Sequence, residues 1–190
     1  FTDVFRLGTG YTLERVKLEN ISSDAPKAVR DFEGSTTLSR VRLFQTWDTR
    51  DNIFNPSKGF HLSFQEELVG TFLGGEEDFY VLQGNYTQYW TLFKKHVVEF
   101  RLRLGTSQDV GSSNTVPIFD RFFAGGLGTV RGFNYRRVGP IEAGDAVGGE
   151  SLGNLTSIAR WPPDRWGVDW RQEENSHESG FGIVLSLSSE

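Results

Sequence analysis

The run from Val98 to Leu104 constrains this chain more than any other feature: Val98, Phe100, Leu102 and Leu104 alternate with Glu99, Arg101 and Arg103. A period of two belongs to an extended strand, whose successive side chains point to opposite faces. One face here is apolar and the other carries three charges, so the strand separates an apolar medium from a wet one. The pattern recurs along the chain. Phe5, Leu7, Thr9, Tyr11 and Leu13 alternate with Arg6, Gly8, Gly10, Thr12 and Glu14, and Val41, Leu43 and Trp47 alternate with Arg40, Arg42 and Asp48. Phe60, Leu62 and Phe64 alternate with His61, Ser63 and Gln65, and Tyr80, Leu82, Tyr86, Trp90 and Leu92 stand opposite Gln83, Asn85 and Thr87.

Turn chemistry separates these runs. Asn52 to Gly59, with Pro56 inside it, reads as a tight turn, and Lys94-Lys95 as a minimal one. The other connections are long: Ser22 to Gly34, and above all residues 106–151. Short turns alternating with long loops, and aromatics at strand ends, are features of an outer-membrane barrel. Tyr80 lies near one end of its strand, and Tyr89, Trp90 and Phe93 lie near the other. A soluble β-sandwich with its charged face in solvent is the competing reading. The aromatic placement and the loop lengths favour the barrel. The expected fold is therefore all-β: part of a transmembrane antiparallel β-barrel, an up-and-down meander with one long loop.

Bulk properties agree with this. Mean hydropathy is −0.39, because barrel strands average a lipid face with a lumen face. No stretch approaches the roughly 20 apolar residues of a membrane-spanning helix. With six or seven strands the chain falls below the roughly eight of the smallest single-chain barrels, so residues 1–190 read as a fragment of one barrel domain. The absence of Met and of a signal-peptide pattern at Phe1 agrees with a fragment. There is no cysteine, hence no disulfide framework and no cysteine metal site. The net charge of −5 and scattered basic residues argue against nucleic acid as a partner.

Residues 116–140 are too long for a hairpin and too patterned for disorder, and long structured loops are usually functional. Arg121-Phe122-Phe123-Ala124-Gly125-Gly126, then Val130-Arg131-Gly132-Phe133, then Val138-Gly139-Pro140 resemble the signature loop of the BamA and TamA superfamily of outer-membrane barrels. Upstream, Asp48 to Asn52 with Phe54 to Gly59 resembles the strand-turn-strand that precedes this loop in BamA-type proteins, and Asp78-Phe79-Tyr80 falls where that family has it. The likeness runs from about Phe5 to Leu152.

The resemblance implies a loop that folds back into the barrel, with Arg131 pairing an acidic residue on a later strand. From composition alone Arg131 reads as a solvated arginine in a glycine-rich turn; within the family pattern it reads as a wall contact. The strands that would carry its partner are not found. Residues 161–179 are polar instead, with Pro162-Pro163 and Glu173-Glu174, and only Phe181 to Leu187 reads again as a strand. Truncation, frame shift and divergence all remain open for this segment.

The implied role is assembly and insertion of outer-membrane proteins, without nucleotide or cofactor, in the bacterial outer membrane. Partners would be the lipid bilayer, unfolded clients and other subunits of an assembly complex. A two-partner-secretion pore of the same superfamily is the alternative. No enzyme is expected. His61, His96 and His177 lack metal-ligand spacing, the glycines lack a phosphate-loop Lys, and there is no nucleophile elbow. Asp48, Asp51 and Asp120 read as turn caps.

Overall fold

The structure is a computed structural model that describes residues 4–92, 96–111, 116–126, 133–142, 144–160 and 185–187; for 158–160 and 185–187 it describes the backbone alone. Seven strands form one sheet: β1 (Phe5–Leu18), β2 (Gly34–Asp48), β3 (Gly59–Val69), β4 (Phe79–Leu92), β5 (His96–Asp109), β8 (Ser151–Arg160) and β9 (Leu185–Leu187). They lie in chain order and every neighbouring pair is antiparallel. A two-stranded ribbon, β6 (Ile141–Glu142) with β7 (Asp145–Ala146), belongs to the long loop. No helix among the described residues is long and apolar enough to cross a membrane; the short α1 (Lys27–Arg30) sits in the β1–β2 loop.

Register fixes the two faces. Leu62 stands opposite Trp47 and Tyr86, and Tyr86 opposite Leu102. Thus Leu7, Leu13, Phe64, Leu82, Trp90 and Leu104 share one face, where each is exposed. Arg40, Glu67, Glu99 and Asn154 share the other, where each is buried. This inverts the arrangement of a water-soluble sheet. Among the described residues no second sheet layer covers the apolar face, which removes the sandwich reading. Lipid is the medium that makes such a face favourable.

At the short-turn end the apolar face carries ring contacts between neighbouring strands. Phe5 meets Trp47 at 4.7 Å, Phe60 meets Tyr86 at 6.0 Å and Trp90 meets Phe100 at 6.4 Å between centroids. This is the interfacial girdle the sequence suggests, with one correction: Tyr89 is buried at 7% exposure, on the polar face, because it has odd parity beside Trp90. Phe93 and the Lys94-Lys95 turn lie outside the described residues.

Strand limits differ modestly from the sequence reading. β2 starts at Gly34, earlier than the Leu38 at which its alternation begins, and β5 stays paired to Asp109. The long loop therefore runs over 110–150 rather than 106–151. Residues 161–179 lie outside the described residues, while β9 falls within the expected Phe181 to Leu187 strand.

A small apolar cluster of Leu38, Val69, Phe79, Val81 and Val116 sits on the polar face at the long-loop end, with Val16, Phe119 and Phe122 packed against it. Four of its five members come from strands and Val116 from the loop, so it is the joint between wall and loop. Burying such side chains contributes about 25 cal/mol per Å² of apolar surface removed from water.

Candidate functional site

The long loop enters through Val116-Pro117 and one 3-10 turn, Ile118–Asp120. It then doubles back on itself. Phe122 and Gly149 exchange backbone hydrogen bonds of 2.9 Å each way, and Val138 N–H donates to the Ala124 carbonyl at 2.9 Å. Gly126 N–H donates to the Phe133 carbonyl at 3.0 Å, and Val147 N–H to the Pro140 carbonyl at 3.1 Å. These cross-links give the loop its own ladder, so its shape does not depend on a regular element.

The candidate residues have distinct places in it. Arg121 turns its Nε to the Val116 carbonyl at 2.8 Å and so closes the entry turn. Phe122 lies on the wall at Gly105, where an added Cβ would come within 2.7 Å of its ring. Phe123 stacks under the Arg136 guanidinium at 3.5 Å from the ring centroid, a cation–π contact. Gly125 has φ +112°, and a Cβ there would stand 2.3 Å from the Asn134 carbonyl oxygen; only glycine lets the two limbs approach this closely. Gly126 packs beside Tyr135. Phe133 is exposed, Gly139 has φ +132° with open space around it, and Pro140 touches Gly149. Val130, Arg131 and Gly132 lie outside the described residues.

The loop's best-defined polar contact with the wall comes from a residue that sequence reasoning did not single out. Arg40, at 3% exposure, forks onto Asp120: Nη1 to Oδ1 at 2.8 Å and Nη2 to Oδ2 at 2.8 Å. Its Nη1 also donates to Glu67 Oε1 at 2.6 Å, and Glu14 Oε1 lies 2.5 Å from its Nε. Arg42 donates to the other Glu67 oxygen at 2.6 Å. The guanidinium sits over the Phe79 ring at 5.8 Å. Three elements, β1, β3 and the loop, thus deliver carboxylates to one arginine of β2. Asp120 is therefore not a turn cap but half of a partly buried bidentate pair, because the 3-10 turn aims its side chain at the wall. A signal was available. Arg40 and Glu67 both lie on inward parities, and a buried charge needs a counter-charge.

A second tie lies at the outer side of the loop. Glu142 accepts the Lys27 N–H at 2.9 Å and the Ala28 N–H at 3.4 Å, and Phe32 meets Phe119 edge-on at 6.2 Å. The β1–β2 loop and the long loop are therefore joined. No group of His, Asp and Glu able to hold a metal ion occurs among the described residues.

A strand meander with an apolar outer face, and a self-laced loop seated on its polar inner face, is the setting in which comparison with known proteins becomes decisive. The Omp85 superfamily domain matches residues 1–168. The chain belongs to the Omp85 superfamily. Among Omp85 relatives, the outer membrane protein assembly factor BamA of Nitratidesulfovibrio vulgaris is 35% identical over 162 residues, covering 83% of this chain and 20% of that protein. The sorting and assembly machinery component 50 homolog of Xenopus tropicalis is 31% identical over 135 residues, covering 69% of this chain and 28% of that protein. In fold, this Omp85 chain is similar to the crystal structure of BamA from Haemophilus ducreyi lacking POTRA domains 1-3, with TM-score 0.70, 17% identity, and coverage of 88% of this chain and 36% of that one. It thus spans about a fifth to a third of the curated relatives it matches.

Proposed function

We propose that this chain is barrel sequence of a factor that folds and inserts β-barrel proteins into the bacterial outer membrane. One observation carries the reading. A structured loop is seated on the polar face of an inside-out sheet through a buried charge cluster, in a family whose matched relatives are named as assembly factors.

The proposed mechanism needs no nucleotide, metal or catalytic side chain. The strand edge at the seam of the whole barrel offers unpaired N–H and C=O groups that a client strand can extend by β-augmentation. Each client strand that pairs there hides backbone groups that would cost several kcal/mol apiece in hydrocarbon. The seated loop keeps the barrel in its working shape, and Arg131 contributes from the loop. Unfolded barrel clients, the bilayer and other subunits of an assembly complex are the partners.

The test is insertion of a small barrel client into liposomes by the intact protein, with Arg131→Ala as the comparison. Client folding that depends on the protein and drops in the variant supports the reading. No insertion by wild type rejects it, and export of a soluble partner without insertion would point to the secretion-pore role instead.

A further inference from the structure

Arg40 pairs with carboxylates from three separate elements, and one of these is the long loop. Glu14 and Glu67 are fixed by β1 and β3, whereas Asp120 arrives only when the long loop is seated. Seating brings a third carboxylate next to two already present, with side-chain exposures of 16% for Asp120 and 6% for Glu67. Without a cation between them, these like charges would repel at short range in a poorly solvated place. Arg42 does not serve, since its Nε is directed at Glu67. Arg40 contacts all three.

We propose that Arg40 is the positioning residue that seats the long loop, by supplying the wall-side cation against which Asp120 docks. This rests on the assembly reading for its effect on activity, but not for the seating itself. The polarity is the reverse of what the family resemblance implies for Arg131: here the wall provides the arginine and the loop provides the acid. Glu67 holds the guanidinium through Nη1, with Glu14 close to Nε, and the Nη1–Nη2 side of the fork faces the loop.

The chain has no cysteine, so two introduced ones label cleanly. Phe72→Cys on the β3–β4 loop and Asp145→Cys on β7 use exposed positions, 85% for Phe72 and 68% for the Asp145 side chain. Pulsed electron paramagnetic resonance between spin labels there reads loop position in the intact protein in liposomes, beside client insertion. The wild type is expected to give one narrow distance distribution. Arg40→Gln broadens it and lowers the insertion rate about tenfold, the size of a typical coupling between distant elements. The double variant Arg40→Gln/Asp120→Asn narrows it again, because the uncompensated carboxylate is gone.

A narrow distribution with full insertion in Arg40→Gln overturns the proposal. So does failure of the double variant to narrow the distribution, the result expected if Arg40 merely shaped the sheet. Should Arg40→Gln not fold, Asp120→Lys decides. It leaves every strand intact, is expected to broaden the distribution, and overturns the proposal if it does not. If the wild type inserts no client while Arg40→Gln still broadens and the double variant still narrows, the assembly reading fails and the seating role stands.

Discussion

Replacing Leu102 by arginine separates a lipid-facing sheet from a water-facing one more sharply than any change on the polar face. β5 has 14 residues; at about 3.3 Å per residue and a tilt of about 40° it spans roughly 35 Å of depth. Leu102 is the seventh of them and points to the apolar face, so it lies near the bilayer midplane. An arginine at that depth on a barrel exterior costs about 2–4 kcal/mol, or roughly 30- to 700-fold in the folding equilibrium. Leu92 faces the same way but closes β4 at the short-turn end, where the same change costs about 0–1 kcal/mol. The assay is reversible unfolding of the intact protein from vesicles by denaturant, followed by tryptophan fluorescence. If the apolar face met water, Leu102→Arg would be an ordinary surface change worth within about 0.5 kcal/mol. Equal, small effects at Leu102 and Leu92 would therefore refute the assignment of faces.

Three further outcomes follow from the loop. Gly125→Ala forces a Cβ to within 2.3 Å of the Asn134 carbonyl at φ +112°; a local strain of about 1–3 kcal/mol is expected to broaden the distance between labels at 72 and 145 while leaving denaturant stability of the barrel nearly unchanged. Glu142→Gln weakens the tie to the Lys27 and Ala28 amides; trypsin cleavage in the β1–β2 loop is expected to speed up about fivefold, the equivalent of ~1 kcal/mol. The third outcome concerns pH. Burial pushes the Asp120 carboxyl up, with Glu67 and Glu14 adding to this and Arg40 opposing it. The charged groups facing it are Glu14 on β1, Arg40 and neighbouring Arg42 on β2, and Glu67 on β3. A carboxyl whose seated pKa exceeds its released value favours seating at low pH, and loses that contribution as pH rises through the raised value. In Arg40→Gln, acidification toward a window above the ordinary Asp value of about 3.9 is therefore expected to narrow the label distances again. Further broadening on acidification would contradict this.

Much of the sheet was legible because a period of two leaves few alternatives. The expected strand from Phe5 to Leu18 has the limits observed, and Phe100, Leu102 and Leu104 face away from Glu99, Arg101 and Arg103 as the alternation requires. Less legible was what each parity meets. Tyr89 sits next to Trp90 at the strand end and looks like part of the girdle, but its parity, shared with Gln83, Asn85 and Thr87, turns it to the lumen, and its register with Gly59 agrees. Leu38, Val69, Phe79 and Val81 have inward parity yet are apolar. Nothing local says that a loop residue some 35 or more positions away, Val116, will cover them. Asp120 shows the same limit: its chain neighbours suggest a cap, while its partner Arg40 lies 80 residues upstream. Non-local pairings of this kind leave no periodic trace. The family motif located the loop, but not what holds it.

The way the loop is held bears on how it can work. A fully apolar seat would be stable and hard to release, and among the described residues this loop brings Val116, Phe119 and Phe122 to a small apolar cluster. Its other anchor is a buried ion cluster, in which desolvation offsets much of the Coulombic gain. Two guanidiniums, Arg40 and Arg42, face three carboxylates, Glu14, Glu67 and Asp120, and Glu14 keeps a side-chain exposure of 39%. Water can therefore take over part of the pairing when Asp120 leaves, while Glu67 keeps its hydrogen bond to Arg40 and Glu14 stays close to it. Removing the loop leaves Arg40 beside Glu67 and Glu14, whereas removing Arg40 takes the cation from Glu14 and Asp120 and leaves Glu67 with Arg42. The asymmetry places the seat closer to a reversible latch than to a core. On the assembly reading, such a contact would let the loop leave its seat without unfolding the barrel.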